Sequence, residues 1–113
     1  MDCKMIYIST DYVFDGSGNE AWTTEDVPAP LGVYGKSKYD AELAVQELGN
    51  KFFIVRISWA FGVNGNNFVK TMLRLSETKD HLSVVNDQVG SPTFTEDLAV
   101  LLADMIQTEK YGI

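Results

Sequence analysis

One cysteine, one histidine and three prolines rule out several common architectures from the start. Cys3 has no partner, so no intrachain disulfide can form, and a lone thiol fits a reducing compartment. His81 has no ligand-spaced partners and is expected at the surface. Asp11 and Asp15 lack the further ligands a metal pair needs. No combination of serine, cysteine and histidine supports nucleophilic catalysis. Basic residues are also scarce, 9 against 16 acidic, for a formal net charge of −7. That balance argues against nucleic acid and anionic lipid as partners, since both need a positive footprint. A small anionic ligand stays admissible, because a local site can differ in sign from the whole. The apolar stretch near the start is too short for a secretory h-region, and nothing approaches a membrane span. A soluble cytoplasmic protein is the expectation. Neither a repeat, a low-complexity tract nor a Pro/Ser linker divides the chain. Residues 1–113 therefore read as a single domain.

The composition present is that of a globular protein, 45% hydrophobic over 113 residues, enough for a core with little to spare. Residues 5–9 (MIYIS) form a short β-prone run, readable as a buried strand. Residues 15–32 are loop-like, with DGSGN followed by Pro28, Pro30 and Gly32. From about residue 33 to 48 the spacing turns helical. Tyr34, Lys38, Ala41, Val45 and Leu48 fall on one stripe, which Ala44 widens. Gly49-Asn50 is a helix stop.

Residues 52–61 (FFIVRISWAF) form a second strand candidate, apolar enough for burial on both faces. A helix is expected from about 67 to 76, with Phe68, Met72 and Leu75 on one side and Val69 and Leu73 nearby. A short strand is expected at 82–86 (LSVVN). A last helix, about 95–108, carries Leu98, Leu101, Leu102 and Met105. Thr93 and Glu96 have capping-box spacing, and Glu96 and Asp97 suit the positive end of the helix dipole. Strands alternating with helices predict an α/β fold with a parallel sheet. Three strands are few for such a sheet, and the closing KYGI begins a β-prone stretch without completing it. The expectation is a piece of a larger α/β protein.

Tyr34 and Lys38 lie four residues apart on the third of these segments, hence on one helix face. An ammonium beside a phenol stabilises the phenolate, and a tyrosine so tuned can pass a proton to a developing alkoxide. Taken alone, the spacing is a common coincidence. Upstream, STDYVFDG (residues 9–16) stands at the C-terminal end of the first strand, where open parallel sheets place their ligand crevice. Thr10 offers a hydroxyl that both donates and accepts, and Asp11 offers an acceptor for sugar-type hydroxyls. Both residues equally suit the capping of a turn. The GVNGNN turn (residues 62–67) lies between strand and helix, as anion-cradling turns do, but an ordinary tight turn explains it as well. It matches neither the Walker pattern nor the G-x-G-x-x-G fingerprint. Trp59 fits a core aromatic or a ligand contact.

The run STDYVFDG, then Val33-Tyr34-Gly35-Lys36-Ser37-Lys38, then Arg56-Ile57-Ser58-Trp59 resembles the extended short-chain dehydrogenase/reductases. Among them it is most similar to the branch of dTDP-4-dehydrorhamnose reductases. Asn66-Asn67-Phe68-Val69-Lys70 and Asp87-Gln88-Val89-Gly90-Ser91-Pro92-Thr93 continue the likeness, so it covers nearly the whole chain. The Tyr-x-x-x-Lys spacing names only the superfamily; the longer strings are far more specific.

This resemblance implies part of a Rossmann-like doubly wound parallel sheet, lacking the N-terminal dinucleotide-binding half. It implies NAD(P)H-dependent reduction of the C4 keto group of dTDP-4-dehydro-L-rhamnose to dTDP-L-rhamnose, for surface polysaccharide. Tyr34 would be the general acid, and Lys38 would hold the nicotinamide ribose and favour the phenolate of Tyr34. Thr10 would take the family's catalytic Ser/Thr place, hydrogen-bonding the substrate carbonyl. Asp11 and Trp59 would contact the deoxysugar, and Asn67 would join the substrate-binding residues. The cofactor would be NADPH or NADH, the choice resting on a residue outside this segment. The partner would be a dTDP-sugar, with a homodimer left open. The glycine-rich turn that approaches the pyrophosphate is absent, so this chain alone is expected to show negligible turnover. Two other readings remain: a different nucleotide-sugar reductase, epimerase or dehydratase, and a non-catalytic subunit resembling the regulatory subunit of methionine adenosyltransferase.

Overall fold

In the computed structural model, which describes residues 3–113, the first strand β1 (Met5–Thr10) runs parallel to β2 (Phe52–Ile57). Their register pairs Met5 with Phe52 and Thr10 with Ile57, so both strands end at the same rim. Between them in sequence comes a single 3-10 turn, Asp11–Val13, then a long loop, then α1 (Val33–Glu47). This is a β-α-β unit, and its helix packs on β1 and the 3-10 turn. The core it buries is small: Val13, Phe14, Val45, Phe53 and Ile54.

The expected α/β class with parallel strands is observed, but its sheet is made of two short pairs. The run 52–61 does not continue as one strand. It breaks at Ser58-Trp59 and resumes as β3 (Ala60–Phe61), which pairs in parallel with β4 (Thr93–Phe94). The break has a backbone cause: Trp59 adopts φ +45°, outside the β region. Burial on both faces is reached only at Phe53 and Ile54, the neighbouring β2 residues being half-buried.

Residues 82–86 form no strand. Among the described residues none pairs with that segment, and Val84 and Val85 are exposed. An apolar run needs a neighbouring strand to take its backbone hydrogen bonds, and β-propensity cannot replace one. The closing KYGI does start a pairing. Gly112 bridges Phe53 in parallel, its N–H donating to the Phe52 carbonyl (3.0 Å) and its carbonyl accepting from Ile54 (2.9 Å).

The helices match expectation in place and differ in their faces. In α1 the buried positions are Gly35, Glu42 and Val45, with Lys38 and Ala41 half-buried. Tyr34, Ala44 and Leu48 of the expected stripe are exposed; α1 is held through Gly35 in its first turn and through Glu42 and Val45 further along. Helix α2 (Phe68–Ser76) is capped by Asn67, whose side chain accepts from Lys70 N–H (3.0 Å). Met72 and Leu75 are half-buried while Phe68 stays exposed. Helix α3 runs Thr95–Met105, with Glu96 and Asp97 in its first turn as the dipole favours. No capping box forms. Thr93 is used in β4 opposite Ala60, which moves the N-cap to Phe94, and Phe94 has no side-chain cap bond. Leu98, Leu102 and Met105 are half-buried, whereas Leu101 is exposed. At its far end Lys4 Nζ donates to the carbonyls of Ile106 and Thr108 (2.8 Å each), satisfying groups that a helix end leaves open. Among the described residues no helix is long and apolar enough to cross a membrane.

Candidate active site

The shared rim of β1 and β2 opens into a cavity of about 240 Å³. Thr10, Asp11, Tyr12, Tyr34, Lys38 and Trp59 line it, with Ile8, Ser9, Ile57 and Ala60 behind them. Residues from three separate stretches of sequence meet there because both strands end together and α1 starts above them. Ligand clefts that enclose a whole small molecule run to about 300–1,000 Å³. This space suits the reacting end of a substrate.

Thr10 closes β1 and is almost fully buried. Its Oγ1 accepts from Tyr12 N–H (3.2 Å) and donates to Asp11 Oδ1 (3.0 Å). The turn-capping role and the place in the cavity are thus held by the same hydroxyl. The Asp11 carboxylate keeps its other oxygen for a ligand hydroxyl, since a carboxylate offers several acceptor sites. Lys38 reaches back under the helix. Its Nζ donates to the Ile8 carbonyl (2.6 Å) and lies 4.4 Å from the centroid of the Tyr7 ring. An ammonium has three donors, so this anchor leaves two for a ligand in the cavity. Tyr34 sits in the first turn of α1 with its ring exposed, edge-on to Tyr12 at 5.9 Å and 75°. Trp59 stands at the other side, half-exposed, held by the left-handed backbone described above.

Five of the six residues singled out from sequence therefore share one cavity. Asn67 is not among the lining residues. Its amide is engaged locally, accepting from Lys70 N–H and donating to the Gly62 carbonyl (2.9 Å). The GVNGNN turn is closed by its own helix in the same way, Lys70 Nζ donating to the carbonyls of Val63 (2.8 Å) and Gly65 (2.9 Å). That is the ordinary-turn reading.

Sequence reasoning overlooked a buried ion pair behind the site. Glu42, fully buried, accepts from Arg56 Nε (3.1 Å) and Nη2 (2.7 Å), and the guanidinium lies 5.0 Å from the Phe14 ring centroid. Phe14 in turn stacks on Trp22 (4.5 Å, 2°). The pair ties the middle of α1 to β2 and so fixes the helix that carries Tyr34 and Lys38. The signal was available: an acid on an inward helix stripe and a base inside an apolar strand are rarely buried unless paired. Tyr12 was also passed over, although it lies inside STDYVFDG.

A second, larger depression of about 490 Å³ is lined by Val55, Ile57, Phe94, Leu98 and Leu101 together with Arg56 and Asp97. It is broad and open, and it lacks the convergent hydroxyl, phenol and ammonium of the first.

The chain is similar to known proteins over nearly its whole length. Residues 1–112 match the family described as the RmlD substrate binding domain. The chain is 47% identical to the dTDP-4-dehydrorhamnose reductase of Aggregatibacter actinomycetemcomitans, over 96% of this chain and 39% of that protein. It is 48% identical to the enzyme of the same name from Escherichia coli K12, over 91% of this chain and 34% of that protein. Among solved structures, the dTDP-4-dehydrorhamnose reductase of Bacillus anthracis in complex with NADP superposes with a TM-score of 0.93 at 53% identity. That match covers 96% of this chain and 39% of the other. The chain thus spans well under half the length of the proteins it matches.

Proposed function

From the premise that this chain belongs to the RmlD substrate binding domain family, we propose that it carries the proton-donating and sugar-facing part of a reductase. The reaction is reduction of the C4 keto group of dTDP-4-dehydro-L-rhamnose, giving dTDP-L-rhamnose. The observation that carries this reading is the meeting of Tyr34, Lys38, Thr10, Asp11 and Trp59 around one cavity at the carboxyl ends of β1 and β2. The setting is cytoplasmic, in the biosynthesis of a polysaccharide sugar.

Tyr34 donates its phenolic proton to the C4 oxygen as that oxygen gains charge. Thr10 directs its hydroxyl to the same oxygen and holds it within reach of the phenol. Doing so requires Thr10 to release Asp11, whose carboxylate then accepts from a sugar hydroxyl. Trp59 offers an apolar indole to the face of the deoxysugar. A bound NADPH or NADH supplies the hydride. The residues present fit such a cofactor, because Lys38 is anchored through one donor on Ile8 and keeps two for ribose hydroxyls. NADP stands in the related B. anthracis structure, which favours NADPH. Intact Thr10, Tyr34 and Lys38 favour catalysis over a purely structural subunit.

The test is to purify the gene product that carries this chain and follow NADPH absorbance on adding dTDP-4-dehydro-L-rhamnose. Oxidation dependent on the sugar is expected. No oxidation, together with tight binding of a partner enzyme, would overturn the proposal in favour of a regulatory subunit.

A further inference from the structure

Trp59 is the only non-glycine residue described with a positive φ, an unusual conformation for a side chain of its size. Such strain persists only where the surroundings over-determine it. Gly90, Ser91 and Thr93 provide contacts there. Ser58 Oγ donates to the Ser91 carbonyl (2.5 Å), and Thr93 N–H reaches the Trp59 carbonyl (3.4 Å). Directly before the first of these ties lies Gly90. A Cβ there would sit 2.9 Å from Trp59 Cζ2 and 3.1 Å from both Cε2 and Cη2. The six-membered ring of the indole therefore rests directly on the Gly90 backbone. Gly90 has no positive φ of its own, so what this position requires is space.

We propose that Gly90 is a positioning residue, the seat that holds the Trp59 indole at the mouth of the Tyr34 cavity and thereby sets how the sugar ring is held. This rests on the reductase reading for its substrate and on the contact geometry for its mechanism. Adding a methyl group at Gly90 strains no backbone. The atoms it meets belong to the outer part of a side chain, so the fold accommodates it by moving the indole. The displacement is roughly half an ångström, which at a substrate-orienting contact lowers productive binding on the order of 10-fold.

The experiment compares Gly90→Ala with the parent gene product, each also in a background where Trp22 and every tryptophan outside this chain are replaced by phenylalanine, so that only the Trp59 emission is read. The expected result is a KM for dTDP-4-dehydro-L-rhamnose raised about 10-fold, with the KM for NADPH unaltered. Acrylamide quenching of Trp59 should increase in parallel. In a Trp59→Ala background the Gly90→Ala change should leave the sugar KM where it was. A sugar KM unmoved by Gly90→Ala, or moved equally without Trp59, overturns the proposal. Should the parent fail to reduce the sugar, the reductase reading falls, yet the quenching comparison still decides the seat. Unaltered quenching in Gly90→Ala refutes it, and increased quenching sustains it.

Discussion

Replacing Gly35 by alanine tests how closely α1 must approach the end of β1. Gly35 is buried in the first turn of the helix, directly after Tyr34. A Cβ there would overlap the Tyr12 carbonyl oxygen and lie 2.9 Å from its carbon and 3.2 Å from Pro30 Cβ. The first is main chain and the second a ring atom, so neither can swing aside. The helix start or the 3-10 turn has to retreat by roughly an ångström, an overpacking cost of about 1–3 kcal/mol. Alanine in a helix gains up to about 1 kcal/mol over glycine, which offsets part of that. The net loss of stability is therefore modest, about 0–2 kcal/mol. Activity suffers more. Tyr34 moves relative to Thr10, and an ångström of misplacement costs about 10²-fold in rate. Urea unfolding and kcat for sugar-dependent NADPH oxidation measure the two effects separately. A Gly35→Ala variant with parental kcat and raised stability would refute the close approach.

Other consequences follow from the same geometry. Glu42→Gln strands the Arg56 guanidinium in a site where its Nη1 already lacks a hydrogen-bond partner, and should cost about 3–5 kcal/mol in urea unfolding. Replacing both members with methionine should recover most of that loss, because no charge is then left buried. Asn67→Ala removes the cap of α2 and should cost about 1 kcal/mol. It should leave the sugar KM alone, and a raised KM would return Asn67 to the substrate-binding set. Asp15 and Asp26 are both held below the ordinary carboxylate value of 3.8, each first by a backbone N–H, of Ser17 and Thr23 respectively. Their support of the loop is therefore complete above that value and is lost as pH falls through the lower, folded-state midpoint. Carboxyl chemical shifts in an NMR titration should give midpoints under 3.8 for both residues; midpoints at or above it contradict the turn bonds.

What could be read from the sequence divides along physical lines. The elements that depend on local pattern, β1, α1, α2 and α3, lie where periodicity and stop signals put them. The gathering of Thr10, Asp11, Tyr34 and Lys38 around one cavity was legible because one strand end and one helix turn carry them. The features missed depend on distant partners. Whether 82–86 becomes a strand is decided by the presence of a neighbouring strand, which the run itself does not encode. The break at Trp59 is invisible in FFIVRISWAF, since it lies in a backbone angle at a residue whose neighbours, Gly90, Ser91 and Thr93, are distant in sequence. The burial of Glu42 follows from Arg56, fourteen positions away, and needs the β-α-β geometry to be seen. Leu48, placed on the inward stripe by spacing alone, is the exposed C-cap of α1, beyond its last buried position, Val45.

The central claim is that Tyr34 delivers the proton in this cavity, and Tyr34→Phe in the gene product carrying this chain addresses it most directly. The ring and its edge contact with Tyr12 are kept, so only the hydroxyl is lost. NADPH oxidation driven by dTDP-4-dehydro-L-rhamnose should fall about 10²–10⁴-fold, with NADPH binding preserved. Oxidation at the parental rate in Tyr34→Phe would contradict the account.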